Sequence, residues 1–208
     1  MEAITNPLPD SDLRPDLRGG GNEPALVVSR LFDAHARGLH RYLARRVGEA
    51  AAEDLVAETF VAAWADRARY EPERAEIRVW LYGIATNLCR RHRRQELRAL
   101  AATARAGGQE SLMMDGPADV VAGQVDAQAR VRRLAAALVR LPDADRDTLL
   151  LTAWAGLSNA EVAEALGVPA GTVRSRLHRV RQLLRTEEGR TGTAQATFGV
   201  GKDKGGTR

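Results

Sequence analysis

Five residues near the C-terminal end carry side chains able to read nucleic acid: Thr172, Arg174, Ser175, Arg176 and Arg179. Hydroxyls and guanidinium groups of this kind donate to phosphate oxygens and to base edges. The Arg fork fits a phosphate or a guanine edge with two bonds at once. Arg181 and Arg185, further along, suit phosphates or a protein surface better. Taken alone, an Arg-rich face is also what a solvated helix shows. A second basic set lies upstream. Asn87, Arg90 and Arg94 follow at spacings of three and four, which puts them on one helix face, with Arg91 and Arg93 nearby and Arg69 and Arg74 before them. The set is either a solvated helix end or a track for a phosphate backbone, on which Asn87 can hydrogen-bond a base. A third set is acidic. Asp54 and Glu58 are four apart and share a face within a basic segment. Carboxylates repel DNA, so this face either meets a basic protein surface or complements the positive end of a helix dipole.

The residues of catalysis are harder to assemble. His35, His40, His92 and His178 share no metal-binding spacing. The one cysteine, Cys89, excludes a disulfide framework and a multi-Cys zinc site. It reads as a small core hydrophobe without a redox partner in the chain. A nuclease would need a metal-holding carboxylate cluster or a positioned His, so no enzyme activity, metal or cofactor is expected.

Helices must hold these groups. Leu31, Phe32, His35, Leu39, Tyr42, Leu43 and Val47 recur at threes and fours until Gly48. Leu55, Val56, Thr59, Phe60, Ala63 and Trp64 form a second stripe. Ile77, Trp80, Leu81, Ile84, Ala85 and Leu88 form a third. Trp80 sits on that stripe, which favours core packing over base stacking. Val131, Leu134, Leu138 and Leu141 form a fourth, ended by Pro142. Leu149, Leu150, Ala153 and Trp154 belong to a fifth, ended by Gly156. From Leu157 to Arg185 the pattern is sharper. Ser158 and Glu161 make a capping box, Gly167 and Pro169 stop the helix, and Val173, Leu177, Val180 and Leu184 open another. Helix, tight turn, helix is the helix-turn-helix pattern, whose second helix enters a major groove by its N-terminal residues. No alternating strand is evident, so the fold class is all-α.

Charge divides along the same lines. The 208 residues carry a net charge of only +4, yet residues 25–94 hold 13 basic against 9 acidic side chains, and 129–186 hold 10 against 5. Residues 1–24 and 95–128 are net acidic. The reading is a disordered leader (1–24), a helical domain (25–94), a flexible linker with room for helical ends (95–128), a second helical domain (129–186) and a disordered tail (187–208). Met113 and Met114 fall in the linker and read either as unremarkable or as weak anchors for a partner. No apolar run reaches the roughly 18 residues of a membrane span, and no secretory signal is visible; an intracellular, cytoplasmic protein is expected. Free of a larger partner, the two domains are expected to close on each other and mask both basic faces.

AEDLVAETFVAAW (52–64), VWLYGIATNL (79–88) and the helix-turn-helix from Leu157 to Leu184, in this order and with a variable linker between, resemble an extracytoplasmic-function (ECF) sigma factor, a short member of the bacterial sigma-70 superfamily. The resemblance covers about two-thirds of the chain. It implies a non-catalytic specificity subunit of RNA polymerase. Residues 25–94 would be region 2, with Asp54 and Glu58 on the clamp helices of the β′ subunit. The loop Asp66–Glu76 and the helix after it would recognise and help open the −10 element, reading an unstacked base in a pocket; Arg69, Arg74, Asn87, Arg90, Arg91 and Arg94 are the candidates there. Residues 129–186 would be region 4, with Thr172, Arg174, Ser175, Arg176 and Arg179 on the −35 element and a contact with the β flap. The linker would thread near the active-site and RNA-exit path. An anti-sigma factor is the further partner implied. Ala57 stands where a Gln is common, Ile77 where a Phe is common, and Val79 precedes Trp80 where housekeeping relatives place a second aromatic. Fewer stacking faces imply weaker melting and stricter promoter demands. A stand-alone helix-turn-helix regulator shares the 129–186 pattern, but has no need of the acidic face in 52–64.

Overall fold

A computed structural model describes residues 14, 15, 17, 24–106, 137, 138 and 140–196. All regular elements among them are helical, in keeping with the all-α expectation. Helix α1 spans Pro24–Val47 and α2 spans Glu49–Ala65. Only Gly48 separates them, at φ +86°, a left-handed backbone that a side chain would strain. A 3-10 turn over Arg67–Arg69 leads into a loop, and α3 then runs Ile77–Ala106. The apolar stripes meet as their spacing requires. Leu39, Tyr42 and Leu43 of α1, Leu55, Val56 and Phe60 of α2, and Ile77, Leu81 and Ala85 of α3 are buried together. Two hydroxyls enter this core already satisfied: Thr59 donates to the Leu55 carbonyl at 2.6 Å and Thr86 to the Tyr82 carbonyl at 2.7 Å.

The second bundle comprises α4 (Asp143–Ala153), α5 (Asn159–Leu166) and α6 (Ala170–Ala196). Both hydrogen bonds of the Ser158–Glu161 capping box form, at 3.3 Å onto the Ser158 hydroxyl and 2.7 Å onto the Glu161 carboxylate. Gly167 closes α5 in the left-handed region at φ +63°. Leu150, Leu151, Leu157, Val162, Val173 and Leu177 pack between the three helices.

Helix α3 continues through Ala106, because Leu97–Ala106 is rich in strong helix formers, and so gives the 95–128 stretch a helical start. Two expectations need revision. The stretch 187–208 is not wholly without structure: α6 runs on to Ala196, since extending an established helix costs far less than starting one. Nor is the leader wholly free. Leu17 is buried against the core, and Arg14 donates to the Pro72 carbonyl at 2.6 Å. The rest of the leader, the linker from 107 to 136 with Met113 and Met114, the start of the fourth stripe (Val131, Leu134) and the tail beyond 196 lie outside the described residues.

The two bundles share one continuous core rather than standing apart. Helix α3 packs across α5 where Gly83 meets the backbone of Ala165. A Cβ at position 83 would lie 2.6 Å from the Ala165 carbonyl oxygen, so glycine is what admits this close crossing.

Candidate promoter and polymerase surfaces

The acidic pair lies on the outer face of α2. Asp54, Ala57, Glu58 and Val61 are all exposed, Val61 at 70%. The opposite face, with Leu55, Val56, Thr59 and Phe60, is core. An exposed face that mixes carboxylates with an aliphatic side chain suits a protein surface rather than nucleic acid.

The loop between α2 and α3 is braced by its own residues. Tyr70 is buried and donates to the Ala75 carbonyl at 3.1 Å. Burial pushes its pKa up to about 12. Its ring lies 5.2 Å from that of Trp80, tilted by 37°. Trp80 is half-buried. It lines an open cavity of about 290 Å³ together with Arg69, Arg74, Ile84 and Asn87. The apolar stripe and the cavity thus both hold Trp80, where the pattern alone favoured core packing. Of the two departures noted above, Ile77 is fully enclosed, while Val79, almost wholly buried, contributes to the wall of this cavity.

The candidate residues of this region do not share one environment. Arg69, Asn87, Arg91 and Arg94 are exposed. Arg74, itself exposed, and Arg90, half-buried, are engaged by the second bundle. Arg74 Nε donates to Glu164 of α5 at 2.8 Å. Arg90 donates to Asp147 of α4, whose other oxygen accepts from Arg46 of α1. The Asp147 side chain is 0% exposed and that of Arg46 3%. Arg93 approaches Asp143 at 3.8 Å. Arg78 donates to the Ala155 carbonyl at 3.2 Å and pairs with Glu161 at 3.4 Å. Burial raises the Glu161 pKa, but the bonds from Ser158 and from Arg78 outweigh it and hold the carboxyl below its ordinary value.

On α6, Arg174, Ser175, His178, Arg179 and Arg181 face outward, while Val173, Leu177 and Val180 are buried. Thr172 is half-buried, and the Ser175 hydroxyl donates to its carbonyl at 2.9 Å. Arg179 donates to Asp145 at 2.9 Å, and Arg176, largely covered, faces the same carboxylate at 3.9 Å. The expected masking of both basic faces therefore happens on one side only. The second bundle engages Arg74 through α5 and Arg90 through α4, and leaves the outer face of α6 open.

Sequence reasoning missed Gly83, Arg46, Asp145, Asp147, Glu161 as a partner of Arg78, and Glu164. It also missed Tyr70, and His35 as a buried titrating group, whose pKa burial and then Arg78 lower. Cys89 is fully buried, with its thiol pushed up chiefly by burial. No described residues group three or more potential metal ligands, and no helix among them is long and apolar enough to cross a membrane.

The family model for Sigma-70 region 2 matches residues 31–99, and that for Sigma-70, region 4 matches residues 132–184. The chain is 32% identical over 170 residues to the ECF RNA polymerase sigma factor SigL of Mycobacterium tuberculosis, covering 80% of this chain and 92% of SigL. It also resembles the structure of CnrH in complex with the cytosolic domain of CnrY, at 26% identity and a TM-score of 0.53 over 80% of this chain and 88% of that one. The same fold occurs in the sigma factor RpoE, in complex with the anti-sigma factor NepR, from Bartonella quintana (TM-score 0.53, 24% identity, 76% of this chain and 94% of that one). The chain belongs to the ECF sigma factors of the sigma-70 family, non-catalytic specificity subunits of RNA polymerase.

Proposed function

We propose that the three exposed faces divide the work of transcription initiation. The face of α2 with Asp54 and Glu58 docks on the β′ clamp helices of core RNA polymerase. The Asp66–Glu76 loop and the first turns of α3 read the −10 element, with an unstacked base in the cavity beside Trp80 and phosphates on Arg69, Arg91 and Arg94. Arg74 and Arg90 join them once released from the second bundle. The N-terminal half of α6 reads the −35 element through Thr172, Arg174, Ser175, Arg176 and Arg179. Region 2 in this reading is residues 25–94 and region 4 is residues 129–186, the latter also meeting the β flap. An anti-sigma factor is the regulatory partner.

The observation that carries the reading is the separation of the faces. Carboxylates and Val61 project from α2, whereas arginines project from α3, and arginines and the Ser175 hydroxyl from α6. A protein that bound DNA alone would have no use for an acidic outer face on α2. The test is Asp54→Arg. Asp54 is exposed, so the fold should persist, judged by an unchanged thermal midpoint. Affinity for core polymerase should fall at least about tenfold, which corresponds to 1.4 kcal/mol, with promoter-directed transcription falling in step. Unchanged core affinity in the folded variant would refute the assignment.

A further inference from the structure

We propose that Asp145, on α4 and outside the helix-turn-helix, is a positioning residue for base reading: it anchors Arg179 for the −35 element. The inference rests on the reading of α6 as the −35 helix. Asp145 is buried, its side chain 8% exposed. Its Oδ1 accepts from Arg179 Nη2 at 2.9 Å and faces Arg176 Nε at 3.9 Å. Asp145 also lies in the first turn of α4, where the helix dipole favours a carboxylate. That role alone asks for no arginine from another helix. The two arginines are three apart on α6, where like charges repel, and both turn to this one carboxylate. They differ in what they then present. The side chain of Arg176 is 17% exposed and that of Arg179 63%. Arg179 lines an open groove of about 580 Å³ with Arg174, Ser175, His178, Arg181 and Asn159 of α5. Its bond to Asp145 uses one of the five N–H donors of a guanidinium. A buried group thus holds one edge of the fork while the side chain faces the groove.

Anchoring changes what an arginine can do on DNA. A free side chain of this length loses rotamer freedom when it binds, and it meets a phosphate as readily as a base. Held in the unbound protein, it has already lost that freedom. Its fork is then set for the paired acceptors of a guanine edge. The carboxylate also offsets its charge, which lowers the sequence-independent attraction to phosphates. Asp145 therefore lowers general affinity and raises discrimination without itself contacting a base.

The experiment uses the full chain bound to core RNA polymerase. A pool of duplexes randomised over a promoter's length is selected on the original holoenzyme. Affinities are then measured for the selected duplex and for each of its single base-pair changes, with the thermal midpoint of each chain followed alongside. Asp145→Asn keeps an acceptor oxygen and removes the charge. It should lose about tenfold discrimination at one base pair and keep the other preferences. The log–log slope of affinity against salt should steepen by about one, as the freed guanidinium meets a phosphate. Arg179→Ala should lose the same preference. The double variant should lose no more than Arg179→Ala alone, because a residue that acts through another is not additive with it. Unchanged preferences in Asp145→Asn overturn the positioning role. So does a uniform loss at all base pairs, with or without a lowered midpoint, and so do additive losses in the double variant. If Arg174→Ala and Arg179→Ala both leave every preference intact, α6 reads no bases, and the −35 reading falls as well.

Discussion

Asp147 offers the sharpest test of how the two bundles are held together. Its side chain is fully enclosed and accepts from Arg46, itself 3% exposed, and from Arg90, 27% exposed. Removing one partner of a buried ion pair costs about 3–5 kcal/mol, because the other charge is left uncompensated in a poor solvent. In Asp147→Ala the stranded group is Arg46, on the other bundle. The chain has an escape that a single rigid core would lack: separating the bundles returns Arg46 to water. The observed loss is therefore the smaller of two quantities, the cost of an unpaired buried Arg46 and the free energy of docking region 4 onto region 2. Arg90 lies nearer the surface, so Arg90→Ala should cost less than Arg46→Ala. Urea unfolding followed by near-UV and far-UV signals measures this. The original chain should unfold in one transition, as a shared core requires. Asp147→Ala should lose about 3 kcal/mol of that coupled stability, or split into two transitions as the bundles unfold separately. A single transition with an unchanged midpoint would refute the idea that this carboxylate joins the bundles.

Two further outcomes concern the folded state itself. The phenols of Tyr42, Tyr70 and Tyr82 are all raised by burial, the first two to about 12. A raised folded pKa means stability that is complete below the ordinary value near 10 and lost as pH climbs towards 12. Absorbance at 295 nm should therefore show no early phenolate signal, then a late rise coincident with unfolding; a phenol titrating at 10 in the folded chain would contradict the burial. Ser158→Ala should cost about 1 kcal/mol by deleting the cap on α5. It should also flatten the acid limb of the stability curve, because the depressed Glu161 pKa gives stability that is present above the ordinary carboxylate range and lost as pH falls through the folded value. Thermal midpoints at pH 7 and pH 3 for both chains check this.

Much of the local structure was legible because its causes are local. Gly48, Gly156 and Gly167 each mark a real helix boundary and each has positive φ. The Ser158–Glu161 box forms as its three-residue spacing requires. The stripe from Leu31 to Val47 and that from Leu55 to Ala63 turn their apolar faces inward, with the exception of Phe32, which is 46% exposed. Helix length was less legible. Nothing in the chain near Arg94 or Thr186 stops a helix, and once nucleated α3 and α6 continue.

Periodicity and composition determined that the chain is helical, which faces are basic or acidic, and where the helix-turn-helix lies. Only the tertiary structure decided which arginines are free. Arg90 and Arg91 are adjacent in sequence, yet one is spent on a carboxylate 57 residues away while the other is exposed. Arg74 meets Glu164 across 90 residues. Gly83 reads in sequence as a slight defect in a helix, and becomes the point of closest approach only when α5 crosses it. Helical period is a property of a few neighbouring residues. Charge pairing and close packing belong to helices that meet in space, and no spacing along one helix encodes which other helix that will be.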